Sequence, residues 1–384
     1  MTVSRLLLLP LALAACTDPA APADAPEDTT TTITITTQQP AALVAFRDAD
    51  GGWQPATSIS PLVSEAHVHG PYVVTVVCDD PGRRVRLFQD ARTLDDDHAI
   101  THSCARSHPD HTLTGHMVQA GEVNLGPAIE LSVLPDWDFA LAVPDGSYDL
   151  VATTDDRIAI QRGVSVSTDR ALAPALDLVK DGRVLVPAHL TTTAAPSEEV
   201  SASVWLSTPT TRLSGVSHGP LDTARLVPEA LLLDGDEQRV RVSAATGRAS
   251  RSLERPYRAG ADPVFTLPEP LVAELGLVDG AVTADWSALP AFDRLGISII
   301  AFDDPGTKLY LYDLAATPGF VATTHRLALD TRIPGMQAAW QIDFTRPYSR
   351  GVFVERRLGD ATATSSIDDD VSAATAARRV RLAR

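Results

Sequence analysis

The sequence predicts an all-β protein: two β-sandwich-like domains following a disordered N-terminal tether, with few short helices. Three observations carry this. Short β-branched and apolar runs recur along the chain, punctuated at regular intervals by Gly, Pro and Asp turn residues, the pattern of a sandwich or barrel. No alternation of strands with helical-period segments appears, so a parallel α/β sheet is not expected. Hydrophobic content is 44%, enough for packed cores rather than wholesale disorder.

The chain begins with a positive residue, Arg5, followed by the apolar run Leu6–Leu13 and then Ala14-Ala15-Cys16. The apolar stretch is much shorter than the ~20 residues a spanning helix needs, and Pro10 sits inside it, which sets aside the competing reading of a membrane helix. This layout is that of a cleaved secretory signal over residues 1–15. It resembles the lipobox of bacterial lipoproteins. The resemblance implies that Cys16 carries the lipid and becomes the first residue of the mature chain, a multi-chain anchor that holds stably. Thr17, where an aspartate would imply retention at the inner membrane, implies the outer membrane.

Residues 16–40 are Pro/Ala/Asp-rich and then Thr-rich, the composition of a disordered tether, although the Thr/Ile alternation at Thr32–Thr36 also fits an extension of the first strand. A first β-sandwich domain is expected over 41–182. Leu43–Phe46, a Gly-rich turn and Trp53 form a hairpin signal. Tyr72-Val73-Val74-Thr75-Val76-Val77-Cys78 is the strongest strand, β-branched and nearly continuous, and so expected to be buried on both faces. Further strands are expected at Val85–Leu87 and near Val118 and Leu125. Pro144-Asp145-Gly146-Ser147-Tyr148-Asp149-Leu150-Val151-Ala152, then Val164-Ser165-Val166 and Leu176-Asp177-Leu178, resemble the end of a carboxypeptidase-regulatory-like (transthyretin-like) β-sandwich. In that family such domains are mostly accessory surface modules. Independently of the resemblance, Gly146 suits a positive-φ turn, and Tyr148, Leu150 and Ala152 fall on one strand face at period two.

A second β-rich domain is expected over 183–366, with strands at 202–206, 239–243, 282–286, 297–302, 309–312, 320–323, 339–344 and 352–356. Pro268–Gly276 reads as a short helix, prolines at its start and glycine at its stop, and Ala224–Leu233 as another interrupted by Pro228. Residues 367–384 read as a flexible tail.

The formal net charge is −17, which disfavours nucleic acid as a partner. The expected partners are the membrane, through the lipid, and an envelope protein or polysaccharide. With Cys16 assigned to the anchor, Cys78 and Cys104 remain; in an oxidising compartment they pair as a disulfide, two buried free thiols being the competing reading.

Histidine clustering is the sharpest chemical hint. His98, His102, His108, His111 and His116 lie close together among Asp95–Asp97 and Asp110, with His67 and His69 upstream. His67 and His69 would share one face of a strand; His98 and His102 would align on a helix. Imidazole and carboxylate suit Zn, so His67, His69, His98, His102, His108 and His111 are the candidate metal ligands, against the plainer reading of a solvated polar loop. Gly215-Val216-Ser217-His218-Gly219 matches the G-x-S-x-G nucleophile elbow, with His325 downstream, but that chemistry needs a strand–turn–helix context and the match reads more simply as a turn. Asp48-Ala49-Asp50-Gly51 is a calcium-loop fragment whose sixth position is Trp53, and a hairpin turn explains it better. No complete catalytic set is present. The expected role is that of a lipid-anchored envelope protein that binds or supports without catalysis. A metal-binding protein is the second reading and a serine hydrolase at Ser217 the third.

Overall fold

Strand Tyr72–Asp80 is buried on both faces, as its unbroken β-branched run predicts. Tyr72, Val74, Val76 and Cys78 enter one hydrophobic core, and Val73 and Val77 enter another on the opposite side. The computed structural model describes residues 30–48, 51–80, 84–104, 111–119, 121–125, 131–133, 138–173, 175–210, 214–247, 249–257, 263–271, 273–278, 281–286, 289–302, 309–342 and 349–370. The fold is all-β, with a single α-helix, Pro318–Thr324, among these residues.

Its backbone is one sheet of twelve strands. From edge to edge these are Ser214–Pro220, Glu199–Ser207, Glu237–Thr246, Ala249–Pro256, Ala361–Asp370, Ser349–Leu358, Arg294–Phe302, Leu309–Ala316, Arg84–Arg92, Tyr72–Asp80, Leu43–Asp48 and Gln54–Pro55. Every neighbouring pair is antiparallel except one: Leu309–Ala316 lies parallel to Arg84–Arg92, in register from Leu309↔Arg84 to Ala316↔Ala91.

Smaller sheets cover this one and build two stacks of layers. In the first stack, the sheet of Thr31–Thr37, Val63–Val68, Thr57–Ser60 and Ala99–His102 packs on one face of Tyr72–Asp80 through Ile33, Ile35, Ala66, Val68 and Ile100. The sheet of Glu274–Val278, Ala281–Asp285 and Leu327–Asp330, with the helix, covers the other face through Val282, Ala284, Leu327, Leu329, Phe320 and Val321. In the second stack, strands Gly146–Thr153 and Arg157–Val166 form the middle layer. Tyr148, Leu150 and Ala152 face Leu113, Phe139 and Leu141 of the sheet containing His111–His116 and Asp138–Val143, while Val151 and Ile158 face Val204, Val240 and Val242 of the long sheet. The period-two reading of Tyr148, Leu150 and Ala152 therefore holds.

The sheets run across the expected domain ranges. Strands from 43–92 pair with strands from 294–358 in one sheet, and Arg157–Val166 pairs with Arg183–Val184 across the expected boundary at residue 182. The tether also ends earlier than residue 40: Thr31–Thr37 is a strand, paired with Val63–Val68 and Ala99–His102, in which Ile33 and Ile35 are fully buried. Residues 16–29, Cys16 among them, lie outside the described residues. The tail begins later than expected, because strand Ala361–Asp370 pairs along Ser349–Leu358 as far as Ser349↔Asp370.

Five local expectations fail. Pro268–Leu271 is not helical: its carbonyls are taken by the long sheet, Arg251 donating to Pro268 O at 3.0 Å and Arg356 to Glu269 O at 2.7 Å, and Glu274 starts a strand. Phe320–Thr323 is helix rather than strand, because Thr317 caps it and Pro318 occupies its first turn. Residues 338–340 form a 3₁₀ turn that buries Trp340, and 343–344 lie outside the described residues. Of 224–233, only Glu229–Leu231 is helical, again as a 3₁₀ turn. Gly146 does not take a positive φ. It is needed for space, since a Cβ there would lie 2.5 Å from the Tyr148 hydroxyl, which donates to Pro144 O at 3.0 Å.

The expected disulfide is present. Cys78 and Cys104 are bonded, with Cα atoms 5.2 Å apart, and staple the long sheet to the layer above it. A second tie uses Gln89, which is 1% exposed: its Nε2 donates to Asp330 O at 3.0 Å and its Oε1 accepts from Asp330 N at 3.2 Å, so one side chain satisfies both backbone groups of an edge residue.

Two outcomes are expected. Replacing Gln89 with Leu strands both Asp330 backbone groups and lowers the unfolding free energy by about 2–3 kcal/mol in urea titration. In the non-reduced, unfolded chain neither Cys78 nor Cys104 reacts with maleimide, and Cys104→Ala costs roughly 3 kcal/mol by loss of loop closure.

Candidate functional site

Among the described residues His67, His102, His111 and His116 lie in strands, and these and His98 each have a ring partner of their own. His102, at the end of Ala99–His102, stacks on Phe88 with ring centroids 4.8 Å apart and brings Nε2 within 2.6 Å of Asp90 Oδ2. The approach is close without hydrogen-bond alignment, and we describe it as an ion pair when the imidazole is protonated. Burial pushes the Asp90 carboxyl up, but His102, Arg92 and Arg294 outweigh it and hold Asp90 below the usual carboxylate range. His111 Nε2 lies 2.6 Å from Asp145 Oδ1, and His116 Nδ1 lies 2.8 Å from Asp138 Oδ1. His98 Nε2 meets Leu94 O at 2.8 Å. His67 Nδ1 meets Thr32 Oγ1 at 3.1 Å across the strand pair. His69 stands one residue past the end of Val63–Val68, so the expected shared strand face is interrupted. His98 and His102 bracket an extended segment rather than a helical turn. His108 lies outside the described residues. Among the described residues no three His, Cys, Asp or Glu side chains converge as metal ligands.

Ser217 lies within the extended strand Ser214–Pro220, not on a strand-to-helix turn. Its hydroxyl donates to Arg225 O at 3.1 Å and accepts from Arg225 N at 3.0 Å, so it anchors a neighbouring strand. The adjacent His218 turns to Ser203 instead, Nδ1 to Oγ 2.7 Å. An elbow needs a sharp turn that exposes the hydroxyl, and this one is spent on backbone. Asp48 O accepts from Gly51 N at 2.9 Å, the hairpin turn the sequence predicts there.

The concave feature that sequence reasoning missed lies in the second stack. A groove of about 1060 Å³ runs between the Ser214–Pro220 edge of the long sheet and the turn Thr153–Arg157 with the start of Glu122–Leu125. Both Ser214–Pro220 and Glu122–Leu125 are edge strands of their sheets. The walls are held by buried ties. Arg162 donates to Asp149 at 3.0 Å and pairs with Asp236 at 2.5 Å, joining the two walls' sheets. Burial opposes ionisation of Asp149, but Thr208, the Gly163 N–H and Arg162 hold its carboxyl below the usual range. Gly163, at φ 64°, is the extra residue of a bulge opposite Asp149, which turns its N–H onto that carboxylate at 3.1 Å. Gly215–His218 of the G-x-S-x-G match line this groove, but as strand rather than elbow, and the rest of the lining comes from segments distant in sequence.

The chain was compared with protein-family models and with curated proteins, and none matches. No helix among the described residues is long and apolar enough to cross a membrane.

The lowered Asp90 carboxyl sets a pH dependence. Because the folded pKa of Asp90 lies below its unfolded value of ~3.9, its stabilisation is complete above that value and is lost as pH falls through the lowered folded value. Asp90→Asn is expected to destabilise the fold at pH 7, read by urea titration, and the gap to the native chain closes as acid titration proceeds.

Proposed function

We propose that the chain is a lipid-anchored protein of a bacterial cell envelope that binds a partner rather than catalysing a reaction. The observation that carries this reading is the Cys78–Cys104 disulfide, a bond that persists in oxidising compartments, taken together with the Leu13–Cys16 layout. The resemblance of the Pro144–Leu178 segment to accessory sandwich modules points the same way. Binding rather than catalysis is supported by how the chemical side chains are used: His102, His111, His116 and Asp90 are tied in pairs, and Ser217 is bonded to backbone. The open groove of the second stack is the feature best suited to hold a partner.

Cells expressing the full chain and fed labelled palmitate are expected to yield labelled protein in the outer-membrane fraction. Cys16→Ser should lose both the label and the sedimentation. Unlabelled native chain in the soluble fraction would overturn the anchor.

A further inference from the structure

We propose that the groove of the second stack binds a neutral saccharide chain of several sugar units. This rests on the binding reading above and supplies its ligand class.

The argument turns on which groove groups are already used. Gln119 is spent on Asp177 and on the Leu178 N–H, both at 2.9 Å. Arg157 is spread over the carbonyls of Leu178, Val179 and Gly182. Ser217 is committed to Arg225. These contacts make stiff walls but offer a ligand little.

What remains is a different set. Glu122 and Asp155 are exposed carboxylates lining the groove, with no hydrogen-bond or ion-pair partner among the described residues. His218 uses Nδ1 on Ser203, which leaves Nε2 on an exposed ring. Trp205, on the neighbouring strand, carries the Arg241 guanidinium 5.0 Å from its ring centroid. Its cross-strand partner is Gly215, where an added Cβ would meet nothing within 4 Å. The ladder position opposite the indole is therefore empty space.

A flat ring beside open space, two acceptors and two N–H donors match a sugar. Sugar hydroxyls donate to carboxylates and accept from imidazole and indole, and the C–H face of a pyranose lies on an aromatic ring. Other ligand classes fit less well. The unspent groups include two carboxylates, which repel an anion, and the groove is open along its length rather than closed around an acyl chain. The volume lies just above the ~300–1,000 Å³ usual for small-molecule sites, room for more than one ring.

The test uses the full chain in detergent micelles, with cellohexaose, maltohexaose and chitohexaose as probes, read by calorimetry and tryptophan emission. At least one hexasaccharide is expected to bind and shift the emission. Trp205→Ala should weaken that binding at least tenfold, and Glu122→Gln together with Asp155→Asn by a similar factor. Gly215→Leu removes no polar group and fills the space beside the ring, so it should also abolish binding; it keeps the test decisive if Trp205→Ala fails to fold. Saturable binding of none of the three probes, or binding unchanged in folded Trp205→Ala and Gly215→Leu, overturns the proposal. So does competition for the groove by an extended peptide added to the Ser214–Pro220 edge when the sugars leave it unoccupied. The anchor is read in cells and the sugar on purified protein, so either reading can fail while the other stands.

Discussion

The parallel ladder between Leu309–Ala316 and Arg84–Arg92 is the constraint on which the architecture depends. It is the one parallel junction in a sheet of otherwise antiparallel neighbours, and it joins the beginning of the chain to its end. Without it the strands from 43–92 and those from 294–358 would be two separate sheets, each with an open edge. Their side chains reinforce the junction: Val85, Leu87 and Ala91 share a core with Ile297, Ile299, Tyr312 and Leu314. Once the ladder is formed, the two faces of Tyr72–Asp80 have distinct covers, and the disulfide and Gln89 each fasten one of those covers to the central layer.

The second stack repeats the principle with different chemistry. Its middle layer, Gly146–Thr153 with Arg157–Val166, again has apolar side chains on both faces. Here the fastening between layers is charged: Arg162 reaches Asp149 on its own sheet and Asp236 beyond it. A buried charge is tolerated because each partner is hydrogen-bonded in turn, Asp149 by Gly163 N and Asp236 by the Leu233 N–H at 2.8 Å. The Gly163 bulge supplies the local bend, and the groove lies where the two sheets' edges come alongside.

Much of the strand content was legible in the sequence, because burial of one or both faces writes itself as alternation or as an unbroken apolar run. Tyr72–Cys78, Tyr148–Ala152 and Ile297–Phe302 are examples. Partner choice was not legible. Nothing in Arg84–Arg92 says that its neighbour is Leu309–Ala316, since register is set by cores that exist only after folding. Local errors came from reading apolar content without the capping residues, as at Thr317-Pro318, or from reading Pro and Gly as helix ends where arginines from the sheet take the carbonyls, as at Pro268–Glu269. The histidine cluster was real as a sequence feature, but strand geometry and nearby aspartates dispersed it into pairs. The groove was not legible either: the sequence marked His218 only as part of an elbow motif, and Glu122, Asp155 and Trp205 come to line the same groove only through tertiary packing.

The parallel junction also orders events in time. A polypeptide emerges amino-terminus first, so Arg84–Arg92 is made long before the strand that completes its sheet. Until Leu309–Ala316 arrives, that strand presents a row of unpaired amides and carbonyls, and everything between must be threaded or built in the interval. A chain that holds only its first ninety residues therefore carries an open strand edge, and a segment more than two hundred residues further on must close it.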